Sequence, residues 1–324
     1  MKVFVAGGTG VLGRASLHAL VEEGHCVGSS ARGNVNKDLV RSFGAEPLEV
    51  DLFDPAAVRR AIKGADAVLR LTTKFGPMSK LRDSKTWQDT MRLRTEGARI
   101  LVDAAIAEGV PTYIHESVSF TYSDGGAKWL SEDAPTDDGG LALLRATLDG
   151  EAETARFTQS GGTGIVLRFG GFYAPDAPSS HESIALARRR MMPQLGPGTN
   201  YFASIWVPDA GRAVAAALNV PAGTYNVCDD EPLLFAEYVR VLADAAGASK
   251  PLHLPGFLAS LLFGSPAKFL LRSQRVSNAR FKEASGWAPT VPSAREGWPI
   301  IAAEMAVGTR TLRPQSDEQH RSAA

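Results

Sequence analysis

The sequence predicts an α/β fold, a doubly wound parallel sheet with helices on both faces, followed by a smaller α/β C-terminal lobe. Three observations carry that prediction. Short apolar runs alternate with longer helical patterns through the first half of the chain. A glycine-rich turn, from Gly7 to Gly13, joins the first apolar run to the first helical pattern. Past Tyr173 the regularity gives way to short segments punctuated by Pro175, Pro178, Pro193, Pro197, Pro208, Pro221 and Pro232. Strand–helix alternation implies right-handed crossovers, which set successive strands parallel and cover both faces of the sheet.

The elements follow in order. Residues 3–6 read as a strand and 11–23 as a helix closed by Gly24, since glycine tolerates the left-handed conformation that ends helices. Strands are expected over 26–30 and 46–50. Residues 55–63 form a helix with Asp54 as its cap and Pro55 in its first position, where a missing N–H costs nothing. A strand over 67–71, a long helix over 87–108 and a strand over 112–115 come next. A helix over 141–159, a strand over 164–169, a helix over 209–218 and a strand over 225–228 complete the pattern. The expected organisation is a nucleotide-binding domain over 1–175, to which some later segments return, a substrate lobe over 176–307 and a loose polar tail over 308–324.

Composition excludes several classes. The 324 residues suffice for about two units of roughly 150 residues. Lys plus Arg and Asp plus Glu number 35 each, so the chain lacks the net positive charge that general nucleic-acid binding requires. Two cysteines, Cys26 and Cys228, are too few for a disulfide scaffold, and no histidine or cysteine grouping has metal-ligand spacing. His115 and His181 are isolated. The N-terminus enters its first strand without an apolar leader, and the expectation is a cytoplasmic protein. The most apolar stretch, 255–271, is broken by Ser260, Gly264, Pro266 and Lys268, so it reads as a buried helix or pocket lid, not a membrane span.

The glycine turn carries the first chemistry. A tight turn needs a residue without Cβ, a pyrophosphate must approach the backbone closely, and the first helical turn must pack against the strand. Gly7, Gly10 and Gly13 suit those tasks, and the free N–H groups at the helix start stabilise an anion. The context, strand then turn then helix, separates this from a chance glycine cluster.

The spacing Gly-x-x-Gly-x-x-Gly resembles that of the extended short-chain dehydrogenase/reductase family, the relatives of nucleotide-sugar epimerases and dehydratases. Other segments extend the resemblance over about residues 1 to 300. Val50-Asp51-Leu52 is similar to the family's Asp-plus-apolar pair beside adenine, and Arg94-Thr95-Glu96-Gly97 falls where members read Asn-x-x-Gly. The run from Leu167 to Pro175 is similar to the segment flanking nicotinamide, while Tyr225-Asn226-Val227 and Gly286-Trp287-Ala288-Pro289 match landmarks of the C-terminal lobe. The resemblance implies a Rossmann sheet and cofactor contacts from Gly7, Thr9, Gly10, Val11, Leu12, Gly13, Asp51, Leu52, Leu71, Thr72, Thr73 and Phe169.

Residue chemistry favours NADP(H) over NAD(H). A carboxylate after the second strand would hold both ribose hydroxyls of NAD, but Ser29-Ser30-Ala31-Arg32-Gly33 has none, and Arg32 could grip a 2′-phosphate with paired hydrogen bonds. Arg32 as a solvated loop charge is the alternative.

The family's proton-transfer pair, Tyr-x-x-x-Lys, is not found. Counting from Arg168 and Glu151 puts Leu143 and Thr147 in its places. No tyrosine lies between Tyr122 and Tyr173, and no lysine between Lys128 and Lys250. The family's substrate serine falls on Val118, flanked by Ser117 and Ser119. The candidate catalytic hydroxyls are therefore Ser117, Ser119 and Tyr122; a structural role is the competing reading for Tyr122. Between Arg70 and Arg99 eight basic residues face three acids, which suits an anionic cofactor or substrate and suits a solvated face about as well.

These features predict an atypical family member: an NADP(H)-dependent oxidoreductase acting on a small or medium organic molecule that needs little acid help. Activated alkenes, iminium ions and self-activated carbonyls are such substrates. A non-redox isomerase, lyase or cyclase, and a non-catalytic NADP sensor or scaffold, are the alternatives. The expected partners are the substrate and a second copy in a homodimer, with no nucleic acid and no membrane.

Overall fold

The computed structural model describes residues 1–73, 84–263 and 271–311. Its core is a parallel sheet of seven strands: β1 (Lys2–Ala6), β2 (Cys26–Ser30), β3 (Glu46–Leu48), β4 (Ala67–Arg70), β5 (Thr112–Val118), β6 (Thr163–Phe169) and β7 (Gly223–Val227). They lie in the order β7-β6-β5-β4-β1-β2-β3, so the chain reverses its direction of travel between β1 and β4. In open α/β sheets ligands bind at that switch, beyond the carboxyl ends of the strands.

Both faces of the sheet are buried, and the alternation along β1 shows how. Val3 and Val5 enter one apolar cluster with Leu17 and Leu20 of α1 (Val11–Glu22) and Val214 of α8 (Val207–Ala216). Phe4 and Ala6 enter the other, with Val58 of α3 (Pro55–Ile62) and Leu101 of α5 (Ala98–Ala107). Complete burial of each such large side chain contributes about 1.5–3 kcal/mol. On α3, Asp54 accepts from the Ala56 and Ala57 N–H groups and Pro55 follows it, as the sequence predicts. Helix α8 lies so close to α1 that a Cβ on Gly211 would stand 2.5 Å from the Ala15 backbone.

Two local differences from the sequence prediction matter. A helix α2 (Asn34–Ser42), polar and unpredicted, follows Gly33, whose φ is +77°. The predicted helix over 87–108 is three pieces: α4 (Ser84–Arg92), a single wide π turn over Leu93–Gly97, and α5.

Helix α6 (Ala142–Gln159) packs against β5 and β6 of the sheet, and after β6 come α7 (Pro178–Arg188), α9 (Phe235–Ala245), α10 (Gly256–Phe263), α11 (Ala279–Ser285) and α12 (Ala294–Thr311). Helix α12 reaches Thr311, past the point where the sequence becomes polar. On α10, Phe257 and Leu261 are 73% and 77% exposed, so these two side chains are not buried as a core helix requires; residues 264–270 of the apolar stretch lie outside the described residues. No helix among the described residues is long and apolar enough to cross a membrane.

Tyr173, Trp206, Tyr238 and Trp298 form the aromatic centre of the lobe, with Tyr173 stacked on Trp298 at 5.7 Å between ring centres. Asp229, 1% exposed, ties this centre to the sheet: Tyr173 Oη and Ser204 Oγ donate to its carboxylate at 2.9 and 2.8 Å, and the Trp206 N–H at 3.3 Å. Burial pushes its pKa up to about 7, against the three donors and with help from the charge of Asp209. The folded protein thus holds a proton that the unfolded chain releases above the ordinary aspartate range, so this group's contribution to stability falls as pH rises from about 4 to about 7. Asp229→Asn cannot titrate. Urea unfolding at pH 5 and pH 7.5 should show the variant gaining on the wild type at the higher pH, by on the order of a few kcal/mol.

Candidate active site

The glycine turn lies at the carboxyl end of β1. Gly7 has φ +101°, and a Cβ there would meet the Leu71 carbonyl oxygen at 2.7 Å. Its N–H donates to Ser30 Oγ at 3.1 Å, and its carbonyl accepts from the Gly10 N–H at 3.1 Å. A Cβ on Gly13 would collide with the Gly7 carbonyl and lie 2.7 Å from Gly8, so α1 leans directly on the turn. Gly10 differs: a Cβ there meets only Gly7 O, at 3.4 Å. The N–H groups of Val11, Leu12 and Gly13 open α1 and have no carbonyl one turn earlier to accept them. A close backbone surface with convergent donors fits a dinucleotide pyrophosphate, which would rest on Gly10 and these N–H groups.

The other expected cofactor residues surround this point. Arg32 is exposed just past β2 and makes no ion pair among the described residues, while its carbonyl accepts from Asn36 Nδ2 at 2.8 Å. Asp51 accepts from the Phe53 N–H at 3.0 Å, and Arg92 lies 3.7 Å over the Phe53 ring. Leu71 and Thr72 are buried, and Thr73 is half-buried, beyond the end of β4. Phe169 is buried against Phe172. Of the basic residues noted between Arg70 and Arg99, Lys74, Lys80 and Arg82 lie outside the described residues.

A charged cluster lies beneath Thr73. The π turn directs Arg94 inward, where it donates to Thr147 Oγ1 on α6, to Thr73 Oγ1 at 3.1 Å and to Glu116 Oε1 at 3.3 Å. Thr73 Oγ1 in turn donates to Glu116 Oε2 at 2.5 Å. Arg70, from the end of β4, donates to the Glu116 carbonyl at 3.2 Å and the Thr72 carbonyl at 3.0 Å, and its Nη1 stands 3.6 Å from Glu116 Oε2. Burial lowers the Arg70 pKa to about 10, Glu116 partly restoring it and Arg94 lowering it further. His115 sits beside this cluster under Gly150, where a Cβ would meet the imidazole at 2.6 Å. Burial, then Arg70 and Arg94, hold its pKa well below the ordinary histidine range, so the ring is neutral.

A second network crosses β5, β6 and β7 through the paired residues Ser117, Arg168 and Asn226. Ser117 Oγ donates to Glu151 Oε1 at 2.5 Å, and Arg168 grips the same carboxylate at 2.9 and 2.6 Å. Arg168 also lies 4.9 Å from the centre of the Tyr122 ring. The Tyr122 hydroxyl donates to Asn226 Oδ1 at 2.8 Å, the side chain has no exposed surface, and burial raises its pKa, with Arg168 and Asn226 opposing. Ser119 is buried, and its Oγ finds no hydrogen-bond partner among the described residues. Leu143 is half-buried on α6, and His181 bonds the Pro175 carbonyl.

Ser117, Ser119 and Tyr122 thus share one stretch of chain, but Ser117 and Tyr122 are engaged in internal bonds. Glu116 is the residue sequence reasoning passed over. The polar pair His115-Glu116, continuing directly from the strand residues Tyr113 and Ile114, was the available signal.

No group of three or more metal-ligating side chains occurs among the described residues. The fold is that of solved structures below 25% identity. It matches the human epimerase family protein SDR39U1 with NADPH at TM-score 0.75 and 21% identity, covering 94% of this chain and 99% of that one. It matches a Thermus thermophilus UDP-glucose 4-epimerase complexed with NAD at TM-score 0.75 and 21% identity, with 94% and 99% covered. In sequence, the chain is 35% identical over 312 residues to a Streptomyces protein described as 3-diazoavenalumate denitrifying reductase, covering 92% of this chain and 99% of that one. Residues 3–228 match the NAD dependent epimerase/dehydratase family. With its glycine turn at the sheet's switch point and a family match over most of its length, the chain belongs to the NAD dependent epimerase/dehydratase family, whose members include NAD(P)-dependent reductases and epimerases.

Proposed function

We propose that the protein is an NADPH-dependent reductase that adds hydride to a small, strongly activated acceptor, and that an aromatic diazo acid is the class to test first. The observation that carries this reading is the chemistry of α6 and β5. Leu143 and Thr147 stand where the resemblance calls for the proton-transfer pair, and neither can supply a proton as tyrosine and lysine do. An acceptor that needs no proton on oxygen fits such a site. Likeness to a reductase named for a diazo compound supports the same class.

When bound, the dinucleotide supplies the hydride. On an arene diazonium carbon the hydride's electron pair forms the C–H bond while the C–N bond breaks, and its electrons leave with dinitrogen. The products are the arene, dinitrogen and the oxidised dinucleotide, so no acid is consumed. The chain's own tasks are then binding and orientation. The Gly7–Gly13 turn and the start of α1 hold the pyrophosphate, Arg32 the 2′-phosphate, and Asp51 and Leu52 the adenosine end. Leu71, Thr72, Thr73 and Phe169 line the path toward the nicotinamide. Ser119, whose hydroxyl is uncommitted, orients the acceptor.

In this reading Tyr122 is a structural tyrosine, contrary to the expectation that it donates a proton. Tyr122→Phe should leave turnover within about threefold of wild type, since the phenol does no acid–base work, where a true acid would cost about 10²–10⁴-fold. It should lower stability by about 1 kcal/mol, because Asn226 Oδ1 loses its donor. Steady-state kinetics and thermal melting measure both.

The reading itself is tested by adding NADPH and an aromatic diazo acid to the protein and following nicotinamide absorbance and gas release. One NADPH consumed for each dinitrogen released is the expected result. Tight NADPH binding with no acceptor-dependent oxidation would instead support the sensor alternative.

A further inference from the structure

Arg70, Arg94 and Glu116 are each 1% exposed or less, and together they set two guanidinium groups against one carboxylate. The neighbouring ionised groups among the described residues pair with one another: Arg168 with Glu151, and Arg156 and Arg99 with Glu153 and Asp103. Neutral His115 does not alter the count. The cluster therefore holds a net positive charge away from water, where its effect on another charge is several times that in solvent. Arg94 Nε, moreover, is buried without a hydrogen-bond partner among the described residues.

The position of this charge gives it a consequence. It lies beneath half-buried Thr73, whose hydroxyl joins Arg94 to Glu116, at the carboxyl ends of β4 and β5. A dinucleotide with its pyrophosphate on the turn after β1 extends along those same strand ends. Arg94 comes from the π turn, and Thr147, the α6 residue that the resemblance aligns with the family's lysine, anchors it.

We propose, resting on the reductase reading, that Arg94 is a positioning cation that selects the redox state of the dinucleotide. The net charge it completes favours the neutral dihydropyridine ring of NADPH and disfavours the cationic pyridinium ring of NADP+. Hydride transfer turns the first into the second: a ring C–H bond breaks, its electron pair and hydrogen go to the acceptor carbon, and the ring keeps a positive charge. The spent dinucleotide is then left in a site that repels it, which speeds its exchange for NADPH.

Dissociation constants of the full chain for NADPH and NADP+, measured by nucleotide fluorescence and calorimetry, give the ratio that tests this. Wild-type protein should bind NADPH at least about tenfold more tightly than NADP+, and Arg94→Asn should lower that preference by about tenfold. Arg94→Lys should keep it. Arg94→Asn with Thr147→Lys, which returns a cation to the same point from α6, should restore it. Glu116→Gln removes the negative charge instead, so it should raise the preference above wild type. A purely structural role would weaken both forms in every variant, without these opposite signs. Unchanged ratios in folded Arg94→Asn and Glu116→Gln overturn the proposal; if Arg94→Asn does not fold, an unchanged ratio in Glu116→Gln overturns it alone. None of these measurements uses an acceptor. A protein that shows the predicted ratios yet never consumes NADPH would refute the reductase reading and leave the role of Arg94 standing, whereas failure to bind either form would refute both.

Discussion

Gly10→Val should abolish dinucleotide binding in a protein that remains folded. Gly10 has φ −73° and ψ 173°, an extended conformation open to any residue, and an added Cβ meets only Gly7 O at 3.4 Å. The valine branches would therefore point into the space a pyrophosphate must enter. We expect at least a hundredfold loss of NADPH affinity, about 3 kcal/mol, with a melting temperature near that of wild type. Gly13→Ala is the informative contrast. Its Cβ would strike the Gly7 carbonyl and approach Gly8 within 2.7 Å, so α1 must move off the turn and stability must fall with affinity. Titration and melting curves on the two variants separate a ligand-facing glycine from a packing glycine. Retained affinity in Gly10→Val would remove the phosphate-turn assignment.

Arg32→Glu should have the next largest effect, and it should be selective. Arg32 is exposed beyond β2, its loop held by Asn36 at one side and by Gly33 at φ +77° on the other. A paired hydrogen bond to a phosphate is worth about 1.5–3 kcal/mol, and the substitution adds repulsion. NADPH affinity should fall about a hundredfold while NADH affinity stays within about threefold. Equal losses for the two would mean that Arg32 does not touch the 2′-phosphate.

What the sequence revealed and what it hid follow from the range of the interactions. The turn, α1 and the capped start of α3 depend on neighbours in the chain, so glycine spacing and the Asp54-Pro55 pair were sufficient signals. Helix α2 was missed because its residues are polar and its start depends on the positive φ of Gly33. The π turn was invisible because a single wide turn within continuous helical chain has no residue signature of its own, yet it is this turn that directs Arg94 inward. Strand β5 runs to Val118, past the predicted end at His115, because Arg70, Arg94 and Glu151 supply partners for Glu116 and Ser117. Those partners come from three separate elements, β4, the π turn and α6. No local pattern could assemble them, and the same holds for Tyr122, whose partner Asn226 lies on β7.

The central claim is that hydride passes from the dinucleotide to the acceptor carbon without a dedicated acid. Its most direct test uses NADPH carrying deuterium at both C4 positions of the nicotinamide, an aromatic diazo acid and the wild-type protein. The account predicts one deuterium in the arene, at the carbon that carried dinitrogen, for each NADPH consumed. An arene that takes hydrogen from water at that carbon, or NADPH that binds and is never oxidised, would contradict it.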